Sequence, residues 1–126
     1  MKYLLDTHIL LWAAVDGLPK PARKYFSEEN ELYFSPASIW EIVVKRALNR
    51  NDFQIDPKAF HANLLKAGYK ELPVTAKHAL ALESLPEIHK DPFDRILLSQ
   101  AISEQMPFVT ADREIAKYPY KIVVIK

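Results

Sequence analysis

The chain has 126 residues, enough for one domain of ordinary size with a full hydrophobic core. Hydrophobic residues make up 49% and charged residues 26%, a composition that excludes a disordered or membrane-embedded chain. The net charge of +1 excludes a strongly basic surface, although a local basic rim is compatible with it, and the absence of cysteine excludes disulfides and thiolate zinc sites.

The N-terminal segment has some features of a signal peptide, because Lys2 precedes apolar residues and positions 9–15 form an apolar run. Asp6 and His8 interrupt the segment early, and no stretch approaches the roughly 20 apolar residues of a membrane span. We therefore expect a mature cytoplasmic protein without a membrane segment.

Helices and short strands are predicted to alternate along the chain. Several helices begin at a capping residue followed by proline, which suits the first helical position. The predicted elements are a strand over residues 2–5, helices over 7–15 and 19–29, a strand over 32–34, helices over 36–48 and 57–66, a weak strand over 72–74, helices over 75–85 and 92–104, a strand over 108–110, a helix over 112–117 and a strand over 122–125.

This order predicts one α/β domain over residues 1–126, a three-layer α/β/α sandwich with a short, mainly parallel central sheet. The strands are continuous apolar runs, which are typical of a parallel sheet covered by helices on both faces. No internal repeat, low-complexity segment or linker divides the chain.

Four acidic residues lie within or next to apolar segments, where a charge disfavours packing but can serve catalysis: Asp6, Glu41, Asp94 and Asp112. Ligands of open parallel sheets bind beyond the carboxyl ends of the strands. Asp6 and Asp112 each follow a predicted strand, and the other two lie on helices that can begin at the same end. All four can therefore meet at one edge of the sheet.

Each acid also has a structural explanation. Asp6 and Asp112 can cap the helices that follow them, and Asp94 suits the first turn of its helix. Glu41 can pair with Lys45 one helical turn later. A fifth acid, Asp91, directly precedes Pro92 and is interpreted as a helix cap rather than a ligand.

Glu41 fits the structural explanation least, because its helix is apolar nearly all round over residues 39–44. An ionised carboxylate buried there is costly unless it is paired or coordinated. Carboxylates that share one pocket raise each other's pKa values, and Mg²⁺ or Mn²⁺ relieves their repulsion. Such a site suits phosphodiester hydrolysis, for which the ion activates water and neutralises charge on the phosphate.

Four sequence blocks contain these acids: LLDTH at 4–8, SPASIWEI at 35–42, HKDPFDRIL at 89–97 and VTAD at 109–112. In order and spacing they resemble the PIN-domain nucleases, and among these the VapC-type toxins of type II toxin–antitoxin modules. The resemblance covers essentially the whole chain. One departure is Asn49, which stands where many relatives carry glycine and affects only the expected geometry of the following turn.

The resemblance implies a PIN-like fold, a Mg²⁺- or Mn²⁺-dependent endoribonuclease activity on RNA, a homodimer, and silencing by a small cognate antitoxin of the VapB or Phd-like kind. It assigns the acidic metal site to Asp6, Glu41, Asp94 and Asp112. It also assigns a supporting hydroxyl to Thr110, with Thr7 and Ser38 as weaker candidates, since hydrogen bonds of this kind orient ligand carboxylates.

Basic residues near the acids have two explanations each. Arg95 and Lys45 either contact RNA phosphates or neutralise carboxylates, and Arg46, Arg50 and Lys90 form either a basic rim or solvated helix ends. His8 and His89 flank the acidic blocks, and structural or solvent-exposed positions are preferred for them over general acid–base roles.

Other functions fit the pattern less well. A signalling receiver domain needs an acidic pair after its first strand, where only Asp6 is found, and a phosphatase with an aspartate nucleophile needs a second aspartate at the position of His8. A catalytically silent PIN-like domain that acts as a partner-binding module stays open as the alternative.

Overall fold

A computed structural model of the chain describes residues 1–15, 17–48 and 54–125. The predicted alternation of strands and helices is confirmed in these ranges. The elements are β1 (Lys2–Leu5), α1 (Thr7–Ala14), β2 (Glu31–Phe34), α2 (Pro36–Ala47), α3 (Pro57–Lys66), β3 (Lys70–Glu71), α4 (Ala76–Ala81), α5 (Pro92–Ser103), β4 (Phe108–Thr110) and β5 (Ile122–Val124). Short 3₁₀ helices cover Lys20–Phe26, Leu82–Ser84 and Ile115–Lys117.

The five strands described form one parallel sheet in the order β3-β2-β1-β4-β5. Along the chain, β2 and β3 are added on one side of β1, and β4 and β5 are then added on its other side. Strand order therefore reverses between β1 and β4. In open α/β sheets, the carboxyl ends of the strands at such a switch point are where ligands bind.

Helices cover both faces of the sheet, which confirms the predicted α/β/α sandwich. Successive residues of a strand point to opposite faces. Thus Leu5 belongs to a buried cluster with Ile9 of α1 and Phe60 of α3, whereas Leu4 belongs to a second buried cluster with Leu97 of α5. Both faces of β1 are buried, so β1 is held between two cores and its carboxyl end has a well-defined position.

The capping residues predicted from the sequence start the helices. Ser35 Oγ accepts a hydrogen bond from the backbone N–H of Ala37 at 3.0 Å, and Asp91 Oδ1 accepts one from Phe93 at 2.9 Å. Asp56 Oδ1 does the same for α3. These side-chain acceptors satisfy N–H groups that lack a partner in the first helical turn, and they set where α2 and α5 begin beside the sheet.

Two predictions about the elements were wrong in part. The weak strand expected at residues 72–74 lies earlier, at Lys70–Glu71. Leu72 N–H still donates to the Phe34 carbonyl at 2.8 Å, but Pro73 has no N–H with which to continue the ladder. The helix expected over residues 19–29 is the shorter 3₁₀ helix Lys20–Phe26.

Two other helices are shorter or tighter than predicted. The helix expected over residues 75–85 is α-helical only as α4 and continues as the 3₁₀ turn Leu82–Ser84. The helix expected over 112–117 is the 3₁₀ turn Ile115–Lys117. Asn49 and Arg50, named above for a turn and a basic rim, lie outside the described residues. None of the helices in the described ranges has the length and apolar character needed to cross a membrane.

Candidate active site

The four acids singled out in the sequence line one open pocket of about 400 Å³ at the switch point of the sheet. Asp6 directly follows β1 and Asp112 lies two residues beyond β4, so adjacent parallel strands bring them to the same edge. Glu41 comes from the second turn of α2, and Asp94 from the first turn of α5. The other lining residues are His8, Trp12, Lys45, His89, Asp91 and Ala111.

Asp6 is buried, and both of its carboxylate oxygens accept short hydrogen bonds. Thr110 Oγ1 donates to Oδ2 at 2.6 Å, and the backbone N–H of Thr7 donates to Oδ1 at 2.6 Å. Burial raises the pKa of Asp6 to about 6, although the Thr110 hydroxyl opposes this rise by stabilising the ionised form. Asp6 is thus the cap of α1 and a pocket residue at once.

Glu41 is only 2% exposed and is held by partners from two helices. Thr7 Oγ1 donates to Oε1 at 2.7 Å, and Lys45 Nζ donates to Oε2 at 2.6 Å. A hydroxyl–hydroxyl hydrogen bond of 2.8 Å joins Thr7 to Ser38. The ammonium group and the hydroxyl together compensate the buried carboxylate, which explains how an acid is tolerated on this apolar helix.

Asp94 has the most perturbed carboxyl group of the pocket. Burial and the neighbouring carboxylates together raise the pKa of Asp94 to about 8; burial has the largest effect, followed by Asp6 and then by Asp91, Glu41 and Asp112. A proton or a cation is therefore bound more tightly here than at an ordinary aspartate. This negative potential is the electrostatic signature expected of a cation site.

Asp112 is anchored on both carboxylate oxygens. Its Oδ1 accepts from the backbone N–H of Glu114 at 2.9 Å, and its Oδ2 lies 2.8 Å from His89 Nε2. The backbone N–H of Asp112 donates to Thr110 Oγ1 at 3.0 Å. One hydroxyl, that of Thr110, therefore links Asp6 to the segment that carries Asp112.

The structure gives the two basic candidates different positions. Lys45 lies in the pocket and pairs with Glu41, which is one of the two roles predicted for it. The guanidinium of Arg95 instead donates to the Tyr118 hydroxyl and to the carbonyl oxygens of the loop before α5, those of Leu85, Pro86 and His89. The predicted pairing of Arg95 with a site carboxylate is not among these contacts, and its contact with RNA stays a prediction.

His89 is a pocket residue whose contacts with the acids were not predicted from the sequence. Its Nε2 atom is 2.8 Å from Asp112 Oδ2 and 3.4 Å from Asp94 Oδ2. In sequence, the only signal was its place three residues before Pro92, because its partner Asp112 is 23 residues away. Such a partner is visible only after folding.

The donor set of the pocket fits a hard divalent cation. Five carboxylate residues line it, the four predicted acids and Asp91, and Mg²⁺ and Mn²⁺ take oxygen ligands from such groups. Ligand atoms of His89, Asp94 and Asp112 lie within 4.8 Å of one another, a spacing that could hold an ion. The raised pKa of Asp94 reflects burial first and the neighbouring carboxylates second, and a bound cation would offset both.

Comparison with known proteins gives a family and a fold. A model of the PIN domain matches residues 3–121. A chain of VapBC2 from Rickettsia felis bound to a DNA fragment from their promoter is 16% identical, with 100% of both chains covered and a TM-score of 0.74. For DNA-bound VapBC from Salmonella typhimurium the values are 18% identity, 97% of this chain and 96% of that chain covered, and a TM-score of 0.68.

A third structure, VapBC-1 from nontypeable Haemophilus influenzae, has a chain that is 18% identical, with 98% of each chain covered and a TM-score of 0.65. A comparison with curated proteins gave no match. At these low identities the structural likeness establishes a shared fold, and the PIN domain match establishes the family.

Proposed function

This chain belongs to the PIN domain family, and on that premise we propose that it is a Mg²⁺- or Mn²⁺-dependent endoribonuclease. The observation that carries the proposal is the meeting of four carboxylates, from four separate elements, in one pocket at the switch point of the sheet. Such a pocket suits a substrate whose reaction gathers negative charge, as phosphodiester hydrolysis does. The residues proposed to hold the ion are Asp6, Glu41, Asp94 and Asp112.

The chain's own residues prepare this site. Thr110 orients the carboxylate of Asp6, and Thr7 and Lys45 orient that of Glu41, so these acids are positioned before any ligand arrives. When bound, the ion supplies Lewis-acid chemistry that activates water and neutralises charge on the phosphate. The chain has no cysteine nucleophile, and the proposal contains no covalent intermediate.

We further propose that the protein is the toxin of a type II toxin–antitoxin module, acts on RNA in the cytoplasm and is neutralised by a small cognate antitoxin of the VapB or Phd-like kind. Support comes from the structural neighbours, which are chains of VapBC complexes. A short reading frame next to this gene that encodes a DNA-binding protein is the expected genomic arrangement. If co-expression of that neighbour leaves RNA cleavage and growth arrest unchanged, the antitoxin proposal is wrong.

The proposed homodimer is supported by apolar side chains on the outer surface of α2. Trp40 is 59% exposed and Val43 is 47% exposed, although both residues are apolar. The two residues lie one helical turn apart and so share one face of α2. A second copy that covers them would remove this area from water. Light scattering that finds only monomers at micromolar concentration would contradict the dimer.

Asp94→Asn provides the main test of the nuclease. We expect the purified variant to cleave RNA about 1,000-fold more slowly than the wild type in Mg²⁺, because several kcal/mol of charge stabilisation are lost. Asp56→Asn is the matched control, since Asp56 caps α3 and is not among the residues lining the pocket. Wild-type cleavage by Asp94→Asn would show that the site is misassigned, and full activity in EDTA would exclude a metal mechanism.

The alternative, a catalytically silent partner-binding module, has one observation in its favour. Lys45 pairs with Glu41, and His89 contacts Asp112, so the chain itself supplies partners for two of the pocket acids. This alternative predicts that the wild type, expressed without its neighbour, leaves cellular RNA intact while still binding a partner protein. Mapping of RNA ends after induction distinguishes the two functions.

A further inference from the structure

His89 lines the pocket and contacts two of the proposed ion-binding acids, Asp94 and Asp112. Its side chain is largely buried, and its Nε2 atom faces Asp112 Oδ2 at 2.8 Å and Asp94 Oδ2 at 3.4 Å. Its other ring nitrogen, Nδ1, accepts a hydrogen bond of 3.1 Å from the backbone N–H of Asp91. Both ring nitrogens are therefore engaged, each in a different role.

The contact with the backbone determines which ring nitrogen of His89 carries the proton. A backbone N–H is always a donor, so Nδ1 must present its lone pair to Asp91. A neutral imidazole then carries its proton on Nε2, where it points toward the carboxylate of Asp112. For Nε2 to bind a metal, the proton would have to move to Nδ1 and face the Asp91 N–H, which costs that hydrogen bond.

The backbone of His89 is held from two sides, by Tyr118 and by Arg95. The backbone N–H of His89 donates to the Tyr118 hydroxyl at 2.8 Å. Arg95 Nη1 donates to the same hydroxyl at 3.2 Å and approaches the His89 carbonyl at 3.4 Å. Arg95 and Tyr118 thus fix the backbone of His89 relative to α5 and to the segment after β4.

We propose that His89 is a positioning residue, which holds the Asp112 carboxylate beside Asp94 by donating a hydrogen bond from Nε2 and is not itself a metal ligand. The inference rests on the proposed function, because it concerns how the same pocket is prepared for its ion. Two neighbouring carboxylates repel each other, and a donor placed between them fixes their spacing at a lower cost. Outer hydrogen-bond partners of this kind typically change metal affinity by about 10- to 100-fold.

The first test is calorimetric titration of the RNA-free protein with Mn²⁺. His89→Leu removes the donor, and we expect Mn²⁺ affinity to fall about tenfold or more. His89→Gln keeps an N–H donor near the position of Nε2, and we expect affinity within about threefold of the wild type. His61→Gln is the matched control, because His61 also contacts a carboxylate, that of Glu71, and is not among the residues lining the pocket.

The second test asks whether a nitrogen is bound to the ion. We expect the electron-spin-echo spectrum of the wild-type Mn²⁺ complex to lack the coupling of a directly bound ¹⁴N nucleus. A bound nitrogen that disappears in His89→Leu would overturn the proposal, since His89 would then be a ligand. Thermal melting of each metal-free variant identifies any loss of affinity that results from unfolding, and His89→Gln then decides the matter because it restores the donor.

The outcomes separate this inference from the proposed function. If the wild type binds Mn²⁺, Asp94→Asn abolishes binding and His89→Leu binds as tightly as the wild type, only the positioning role is wrong. If the wild type binds no Mn²⁺, the metal-dependent nuclease is wrong and the role of His89 fails with it.

Discussion

The inner half of the acidic site, Asp6 and Glu41, is built differently from its outer half, Asp94 and Asp112. In the inner half both acids are less than 5% exposed, and hydroxyl, backbone and ammonium donors contact all four oxygens. In the outer half, Asp112 is partly exposed, and the contact described for Asp94 is His89 at 3.4 Å. Because Asp112 is contacted on both of its oxygens, it is Asp94 that makes the outer half less completely compensated than the inner half.

This difference indicates where a cation contributes most. Two short hydrogen bonds offset part of the cost of burying an ionised carboxylate, as Thr110 and Thr7 do for Asp6, whose pKa rises only to about 6. Asp94 lacks comparable support within the described residues, and its pKa is raised to about 8. The inner half therefore supplies fixed geometry, and the outer half supplies the electrostatic attraction for the ion.

Thr110→Val tests the fixed geometry of the inner half. Of the three tests that compare the two halves, it has the largest expected effect. The variant keeps the shape of the buried side chain but removes the hydroxyl that joins Asp6 to Asp112. We expect RNA cleavage to fall about 100-fold. Thr110→Ser keeps the hydroxyl and should restore most of the rate, whereas equal activity of Thr110→Val and the wild type would remove the hydroxyl from the mechanism.

The pH dependence of stability tests the incomplete compensation of the outer half. Because the folded-state pKa of Asp94 is raised from 3.8 to about 8, the folded state retains a proton that the unfolded chain releases. This contribution to the stability of the metal-free protein is fully present below about pH 4 and is lost progressively as the pH rises to about 8. Asp6 adds to the loss over the lower part of this window, up to about pH 6.

Denaturant unfolding at a series of pH values, in EDTA and then in Mg²⁺, measures this effect. We expect Asp94→Asn to flatten the profile between about pH 5 and about pH 8, and Mg²⁺ to restore wild-type stability at the upper end. A metal-free wild type that is equally stable across this range would show that the outer half is compensated after all.

Ser38→Ala tests a second hydroxyl of the inner half and has the smallest expected effect of the three tests. Ser38 is buried and bonds to Thr7, which keeps its own hydrogen bond to Glu41 in the variant. We expect unfolding to become easier by about 1 kcal/mol while RNA cleavage stays within about threefold of the wild type. Ser27→Ala, at an exposed position, is the control. A large loss of activity in Ser38→Ala alone would show that the Ser38 hydroxyl is essential for cleavage, as that of Thr110 is expected to be.

Several features of the fold were predictable because they depend on local chemistry. Apolar runs of three or four residues mark β1 and β5, and a capping residue before proline marks the start of α2 and α5. Predictions failed where a neighbour decides the conformation. β3 consists of Lys70 and Glu71, two exposed charged residues, and is a strand because it pairs with the end of β2.

The candidate site was predictable to a similar degree. An acid within an apolar helix, Glu41, signals a cost that packing alone does not explain, and acids after strands, Asp6 and Asp112, lie at the edge where ligands of parallel sheets bind. The pairing of His89 with Asp112 and the turning of Arg95 toward loop carbonyls carry no such signal. Both depend on which loops the sheet brings together.

The sequence by itself determined the alternation of strands and helices, the starts of the principal helices and the four acids, because burial and capping act within a few residues. Only the tertiary structure decided that β1 and β4 are neighbours, that one threonine joins two acids, and that His89 faces the outer half of the site. The contacts of His89 with Asp112 and of Thr110 with Asp6 join residues 23 and 104 positions apart, where the direction of a side chain follows from the packing of whole elements.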